Sequence, residues 1–494
     1  MALVKSYGFK LLRTSLNALM SAFIWPFIAS TGSAANYGDF GYLQNAYLRI
    51  FTVLEQFISA LYPRVASNKA ESYNDQVFSL IASTIFSTTV LAGTFFLFKS
   101  SLSEKLFFDI SIRLIILVFI FCYCQVQFKI IIGIADSLGI TWRLEPVCIG
   151  FLLALFGATL YLFYSNNLNL ENFLAASIIC NIVTILYGLF LFRNFATENQ
   201  TDSQKKTDRK KLFFAYLKYS GPMYLATIFG IFLSVSERYL VHAFNGPAAQ
   251  GYLTLILNIS LIISMLSAVM TPFILRTVAE SYFENIESAP RSKVTQWFDC
   301  SLMFFLQIST FICVWLGLNI DRVIDLMGWE LTGEFRLAFW LIMIASTVRV
   351  VNQFCSSSLL GSGEVKKFAI CSISAEAISL IVVLIFLILM PAIESWVVLV
   401  AARLVFNEFI SAWLLAIQAR KRLGFIIRPW MLALRTLSFG VVVFLAVTLV
   451  NEILDSRSII MLVFEVALTF ICVALVSFLF GIFQVKDLRV MIRS

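Results

Sequence analysis

The chain has 494 residues, 60% of them hydrophobic and only 13% charged, with a formal net charge of +8. A soluble domain carries about 45–50% apolar and about 25% charged residues, and a bigger soluble core cannot account for the difference because cores split into domains as chains grow. The composition therefore excludes a soluble globular protein. The basic residues lie in short loops between apolar runs, so the positive charge reads as membrane topology and not as a nucleic-acid-binding surface.

Runs of roughly 20 mainly apolar residues are long enough to cross a bilayer. In chain order they fall at 9–30, 41–63, 77–98, 110–134, 146–164, 171–193, 213–243, 247–275, 296–318, 335–360, 367–389, 392–418, 430–451 and 458–481. The expected fold is an all-α polytopic membrane protein of about fourteen transmembrane helices. The first run follows Lys5 and Lys10 and ends near Gly32-Ser33-Ala34-Ala35, as a signal peptide would. Arg13, Asn17 and Pro26 inside the run argue that it is retained as a helix. After the sixth run comes the one clear linker, 196–211, which is polar and poor in apolar residues.

Orientation follows from where Lys and Arg fall between the runs. One alternate set of loops holds Arg64, Lys69, Arg143, Arg193, Lys205, Lys206, Arg209, Lys210, Lys211, Arg276, Arg291, Lys293, Lys366, Lys367, Arg420, Lys421, Arg422 and Arg428. Lys5 at one end and Lys486, Arg489 and Arg493 at the other belong to the same side. The opposite set holds Lys99, Lys105, Arg322, Arg336 and Arg457. The richer side is expected to be cytoplasmic, with both termini inside and 319–334 outside.

The chain repeats itself. Gly41-Tyr42-Leu43 opens the second run and Gly251-Tyr252-Leu253 opens the eighth, while Pro63 before Ala70-Glu71-Ser72 matches Pro272 before Ala279-Glu280-Ser281. Six runs per unit is an even number, so both units should enter the membrane the same way round and be related by an axis along the membrane normal. The expected organisation is an N-terminal six-helix lobe over 1–195, a cytoplasmic linker over 196–211, a C-terminal six-helix lobe over 212–424, and two additional helices with a tail over 425–494.

Ionisable residues inside spans are costly and default to functional hypotheses. Arg49 and Glu55 lie in the second span, Lys129 in the fourth, Arg238 in the seventh, Arg349 in the tenth, Glu376 in the eleventh, Arg403 and Glu408 in the twelfth, and Glu465 in the fourteenth. The cations sit on polar stripes at helical spacing: Asn45, Arg49, Thr52, Gln56 and Ser59; Gln125, Lys129 and Asp136; Ser220, Thr227, Ser234 and Arg238; Ser346, Arg349 and Gln353; Arg403, Asn407, Ser411 and Gln418. Lipid cannot satisfy such stripes, so they must face protein or water. Two arrangements remain open: a water-filled cavity lined by cations, or cations paired with Glu55, Glu376 or Glu408 inside a packed bundle. Glu55, Glu376 and Glu408 are thus candidates either for ion coupling or for ion pairing. Arg238 and Lys129, near span ends, could also snorkel to the interface. His242, the single histidine, is expected to pack at an outer span end.

No nucleophilic constellation is present, and no Walker-type phosphate loop. Gly361-Ser362-Gly363 reads as a helix end. All nine cysteines lie in or at the edge of apolar runs, so a disulfide framework is not expected, and Cys122 and Cys124 read as packing residues and not as metal ligands. The expectation is a transporter that is not an enzyme and uses neither cofactor nor bound metal.

Asn36-Tyr37-Gly38-Asp39-Phe40-Gly41-Tyr42-Leu43 with Leu61-Tyr62-Pro63-Arg64-Val65-Ala66, and Ser236-Glu237-Arg238-Tyr239-Leu240-Val241 with Gly246 and Gly251-Tyr252, resemble the openings of the two halves of Wzx-type O-antigen flippases. These belong to the polysaccharide-transporter branch of the multidrug/oligosaccharidyl-lipid/polysaccharide exporter superfamily. Members often carry Asp where this chain has Glu237. The resemblance implies a monomeric flippase of the bacterial inner membrane. It would move an undecaprenyl-diphosphate-linked oligosaccharide between leaflets by alternating access, amid membrane lipid, with a polysaccharide polymerase and glycosyltransferases as partners. On that reading Arg49, Arg238, Arg349, Arg403 and Lys129 would meet the diphosphate, since the Arg fork suits phosphate oxygens, and Asn45, Gln56, Gln353 and Asn407 would meet sugar hydroxyls. The alternatives are a cation-coupled multidrug exporter or a lipid II flippase of the same superfamily, or, in a different class, a membrane-embedded glycosyltransferase or polysaccharide polymerase.

Overall fold

The structure is a computed structural model that describes residues 9–65, 110–198, 209–278, 291–389, 395–423, 429–453 and 465–473, apart from 11, 18–19, 21–23, 26–27, 139–140, 269, 272–273, 276, 326–327, 331, 467 and 472. The predicted span at 77–98, the centre of the linker and most of the predicted span at 458–481 lie outside these. Among the described residues no strand occurs, and nine helices are long and apolar enough to cross a membrane. The chain divides into two compact units, Met1–Asn258 and Ile259–Ser494.

In the first unit α1 (Ala34–Val65) starts earlier than the predicted span. Ser33 Oγ accepts a bond from the Asn36 amide at 3.2 Å, which satisfies one of the donors that a helix start leaves open. α2 (Ile112–Leu138) packs on α1, on α3 (Thr141–Tyr164) and on α4 (Leu170–Glu198). The α1–α2 contact is aromatic: Phe119 meets Tyr47 at 5.3 Å and Phe51 at 5.5 Å between ring centroids. Buried Phe40 stacks on Trp25, which also meets Phe173 at the start of α4. α3 buries only Thr141, Leu144, Glu145, Cys148 and Thr159, and on α4 Ile179, Leu186 and Phe190 are exposed. In a chain this apolar such faces belong to lipid.

α5 (Arg209–Ala268) is continuous by hydrogen bonding but breaks at Gly246, whose φ of 83° and ψ of 171° are a glycine conformation. Pro247 follows, lacking an N–H and therefore suited to the first turn of a new helix. The result is two limbs, 209–245 and 247–268, which correspond to the predicted seventh and eighth spans.

In the second unit α7 (Gly333–Gly361) is the central helix, packed against α6 (Arg291–Asp325), α8 (Val365–Leu389) and α9 (Trp396–Leu423). Gly317 lets the Trp340 ring lie on α6, for a β-carbon there would stand 2.2 Å from the ring. α10 (Pro429–Ile453) packs on α6. The helical residues near 465–473 join them: Arg322 donates to both oxygens of fully buried Glu465 at 3.2 and 3.3 Å, and Phe311 meets Phe470 at 5.5 Å. The described parts of the two C-terminal helices therefore dock on α6.

Candidate functional site

Two polar stripes legible in the sequence meet in the first unit. Asn45 and Arg49 lie four apart on α1, and Ser234 and Arg238 lie four apart on the first limb of α5, so each pair shares a helix face. Ser234 Oγ donates to Asn45 Oδ1 at 3.2 Å. Arg238 donates to Thr254 Oγ1 on the second limb at 3.5 Å. Thr254 in turn donates to the Gln250 carbonyl at 2.8 Å and accepts from Gln250 Nε2 at 3.4 Å.

Arg238 is only 7% exposed, and among the described residues no ion pair is recorded for it. A buried charge is costly unless paired and hydrogen-bonded. Glu237 stands near enough to offset some of the charge, while Arg49 stands near enough to repel it. Arg238 thus stands among a carboxylate, a second cation and neutral hydrogen-bonding groups. Such a site can receive an anion. Glu55 and Gln56 continue the α1 stripe, but their side chains lie outside the described residues. Lys129 is exposed on α2.

The second unit arranges its cations differently. Arg349 Nε donates to Glu408 Oε1 at 2.6 Å, and Asn352 donates to the Glu408 carbonyl at 3.1 Å and to its carboxylate. Arg403, with 5% of its side chain exposed, pairs with Glu376, which also accepts from Asn407 at 3.3 Å. Gln353 bonds the Ser267 hydroxyl and the Ser264 carbonyl. Of the two arrangements open from sequence, Arg349 and Arg403 thus adopt the ion-paired one, tying α7 to α9 and α8 to α9.

Three further pairs had no clear signal in the stripes. Arg13 meets fully buried Glu145 at 2.5 Å, and Arg322 meets Glu465 as described. Asp39, ahead of the predicted span that begins at 41, lies on α1 and its Oδ1 meets His242 Nε2 at 2.9 Å. Arg13 and Glu465, charges inside predicted spans, were the available clue for the first two, while their partners Glu145 and Arg322 fall outside the predicted spans. For Asp39 the clue was the Ser33 helix cap, which moves the residue onto a helix.

No family model and no curated protein matches the sequence. Solved structures do match its fold. A lipid II flippase MurJ in an inward closed conformation aligns over 97% of this chain and 97% of its own, with a TM-score of 0.60 and 14% identity. A MATE protein in complex with MaL6 aligns over 86% of this chain and 96% of its own, with a TM-score of 0.60 and 16% identity. The Vibrio cholerae MATE transporter VcmN, in its bent form, aligns over 86% of this chain and 98% of its own, with a TM-score of 0.54 and 14% identity. Each is a transporter or a flippase and not an enzyme. The chain is an all-α polytopic membrane protein with the fold that these members of the multidrug/oligosaccharidyl-lipid/polysaccharide superfamily share.

Proposed function

We propose that this protein is a flippase for a lipid-linked oligosaccharide. It moves an undecaprenyl-diphosphate-linked repeat unit, of O-antigen or another surface polysaccharide, from the cytoplasmic to the outer leaflet of a bacterial inner membrane. The observation that carries the reading is Arg238, a buried cation with a neutral hydroxyl as its hydrogen-bond partner and Arg49 nearby. A diphosphate would meet Arg238 through charge-assisted bonds, which are roughly twice as strong as neutral ones. Asn45 and Ser234 beside it offer hydrogen bonds to sugar hydroxyls. The near-complete alignment with a lipid II flippase supports the reading, because it spans 97% of this chain against 86% for the MATE protein bound to MaL6.

Alternating access would work between lobes 1–195 and 212–424, with both termini cytoplasmic as the Lys and Arg distribution indicates. The diphosphate meets Arg238 and Arg49 first. Arg349 and Arg403 take part only by releasing Glu408 and Glu376. Several moderate contacts suit a carrier better than one tight site, since the cargo must leave on the far side. A cation-coupled multidrug exporter of the same fold is the second reading. The buried Arg238 cation disfavours it for cationic drugs.

Depletion of the protein in its own cell tests the proposal. The lipid-linked saccharide should accumulate and stay inaccessible to a glycosidase added to spheroplasts. Normal accessibility after depletion would refute the flippase reading.

A further inference from the structure

We propose, on the reading that Arg238 meets the diphosphate, that Thr254 and Gln250 are positioning residues which aim its guanidinium at that group. Thr254 and Gln250 lie four apart on the second limb of α5 and share a helix face. Arg238 lies on the first limb, and the break at Gly246 brings it to them. All three are buried: Gln250 is 0%, Thr254 4% and Arg238 7% exposed.

The hydrogen bonds fix which way each group faces. A hydroxyl has a single hydrogen to give, and Thr254 gives it to the Gln250 carbonyl at 2.8 Å. Its oxygen is thereby only an acceptor toward other groups, and it cannot rotate to present a hydrogen to the cation. For the same reason the Gln250 amide must turn its nitrogen to Thr254, where Nε2 stands at 3.4 Å. Gln250 Oε1 is then buried with no hydrogen-bond partner among the described residues. Buried acceptors are as a rule satisfied, so this cluster has a place for one more donor, such as a hydroxyl of a bound saccharide.

Packing holds the hydroxyl where the bonds aim it. A β-carbon at Gly41 on α1 would lie 2.0 Å from Thr254 Oγ1 and 2.5 Å from its Cγ2. Thr254 therefore fills space that only a glycine leaves open, and it has no room on that side to swing away from Arg238. The Arg238–Thr254 contact itself is long, at 3.5 Å, whereas a charge-assisted bond to a phosphate oxygen is about 2.7–2.9 Å. Thr254 thus orients the fork without competing for it. An Arg side chain has much rotamer freedom, and ordering it before the ligand arrives removes that cost from binding. The gain is peculiar to a planar fork, whose direction matters; a Lys ammonium is a compact point charge.

The test uses the full chain in nanodiscs with inorganic pyrophosphate as the probe, followed by calorimetry, so it needs no translocation. Wild-type protein should bind pyrophosphate, and Arg238→Ala should lose the binding. Thr254→Val keeps the side-chain shape without the acceptor, and should weaken binding about three- to tenfold. Thr254→Ser keeps the hydroxyl and should recover most of that loss. In an Arg238→Lys background Thr254→Val should change the affinity no further, because no fork is left to aim. A general loosening of α5 would instead weaken binding equally in both backgrounds. Should Thr254→Val fail to fold, Gln250→Met removes the amide and leaves the Thr254 hydroxyl in place. It should show the same dependence on Arg238 with a smaller effect. Pyrophosphate binding that is absent from wild type, indifferent to these substitutions, or weakened as much in the Arg238→Lys background would overturn the proposal. Binding with the expected Thr254 dependence, in a protein that moves no lipid-linked saccharide, would support the aiming of Arg238 and count against the flippase reading alone.

Discussion

Arg238 donates to Thr254 at 3.5 Å although sixteen positions separate them in the chain. A straight helix would hold them about 24 Å apart at 1.5 Å per residue. The contact exists because Gly246 and Pro247 turn α5 back on itself, and the reversal places a buried guanidinium among hydroxyl and amide groups. The bend and the setting of the buried Arg238 are thus one construction.

Arg238→Ala should abolish surface polysaccharide while protein abundance stays near normal, because the recorded hydrogen-bond partner of Arg238 among the described residues is the neutral Thr254 hydroxyl. Arg49→Ala should reduce it, and the double variant should match Arg238→Ala if the two act on one phosphate group. Arg238→Lys should rescue only in part, since the planar fork is lost. Quantitative blotting of the protein beside the polysaccharide separates loss of transport from loss of protein.

The paired arginines should behave in the opposite way. Removing one partner of a buried ion pair costs about 3–5 kcal/mol because it strands the other charge. Arg403→Ala should therefore lower abundance or thermal stability, and pairing it with Glu376→Ala should recover much of the loss. A double-mutant cycle in a thermal-stability assay reads the coupling directly. Loss of transport by Arg403→Ala at full stability would show that this arginine meets cargo after all.

Gly38→Ala and Gly251→Ala each place a methyl group against a carbonyl oxygen where α1 and the second limb of α5 touch, 1.8 Å from that of Pro247 and 2.0 Å from that of Ala34. Overpacking of this kind costs about 1–3 kcal/mol. Both variants should increase alkylation of a cysteine introduced at Gln250, which is fully buried in this structure. Unchanged labelling would mean that this contact is not what buries Gln250.

Topology is testable with introduced cysteines. Asn319 is a poor reporter, since it is fully buried and bonded to the Trp315 carbonyl and to Asn451. Glu334 is exposed at the start of α7 and serves instead. An impermeant reagent added outside should label E334C and miss S203C, and the reverse pattern would invert the orientation.

The sequence was most legible where a regular period carried the signal. Apolar runs of bilayer length announce helices whatever their neighbours are, and Asn45–Arg49 and Ser234–Arg238 announce polar faces by their spacing of four. Which faces meet is a matter of helix rotation and register, on which the linear pattern is silent. Glu408 could have served Arg349 or Arg403 by position, and the structure gives it to Arg349 while Glu376 takes Arg403. Gly38 lies ahead of the predicted second span, which begins at 41. Within α1 it instead lets another backbone approach, and this carried Asp39 onto a helix facing His242.

The central claim is that Arg238 and Arg49 hold the diphosphate of a lipid-linked saccharide during translocation. Purified protein in liposomes, with a fluorescent undecaprenyl-diphosphate saccharide and a membrane-impermeant quencher, measures this most directly. The account predicts that wild-type protein equilibrates the probe between leaflets, that Arg238→Ala falls to the rate of protein-free liposomes, and that Arg238→Lys lies between. Equal translocation by wild type and Arg238→Ala would contradict it, as would a wild-type protein that leaves the probe in place while exporting a cationic dye.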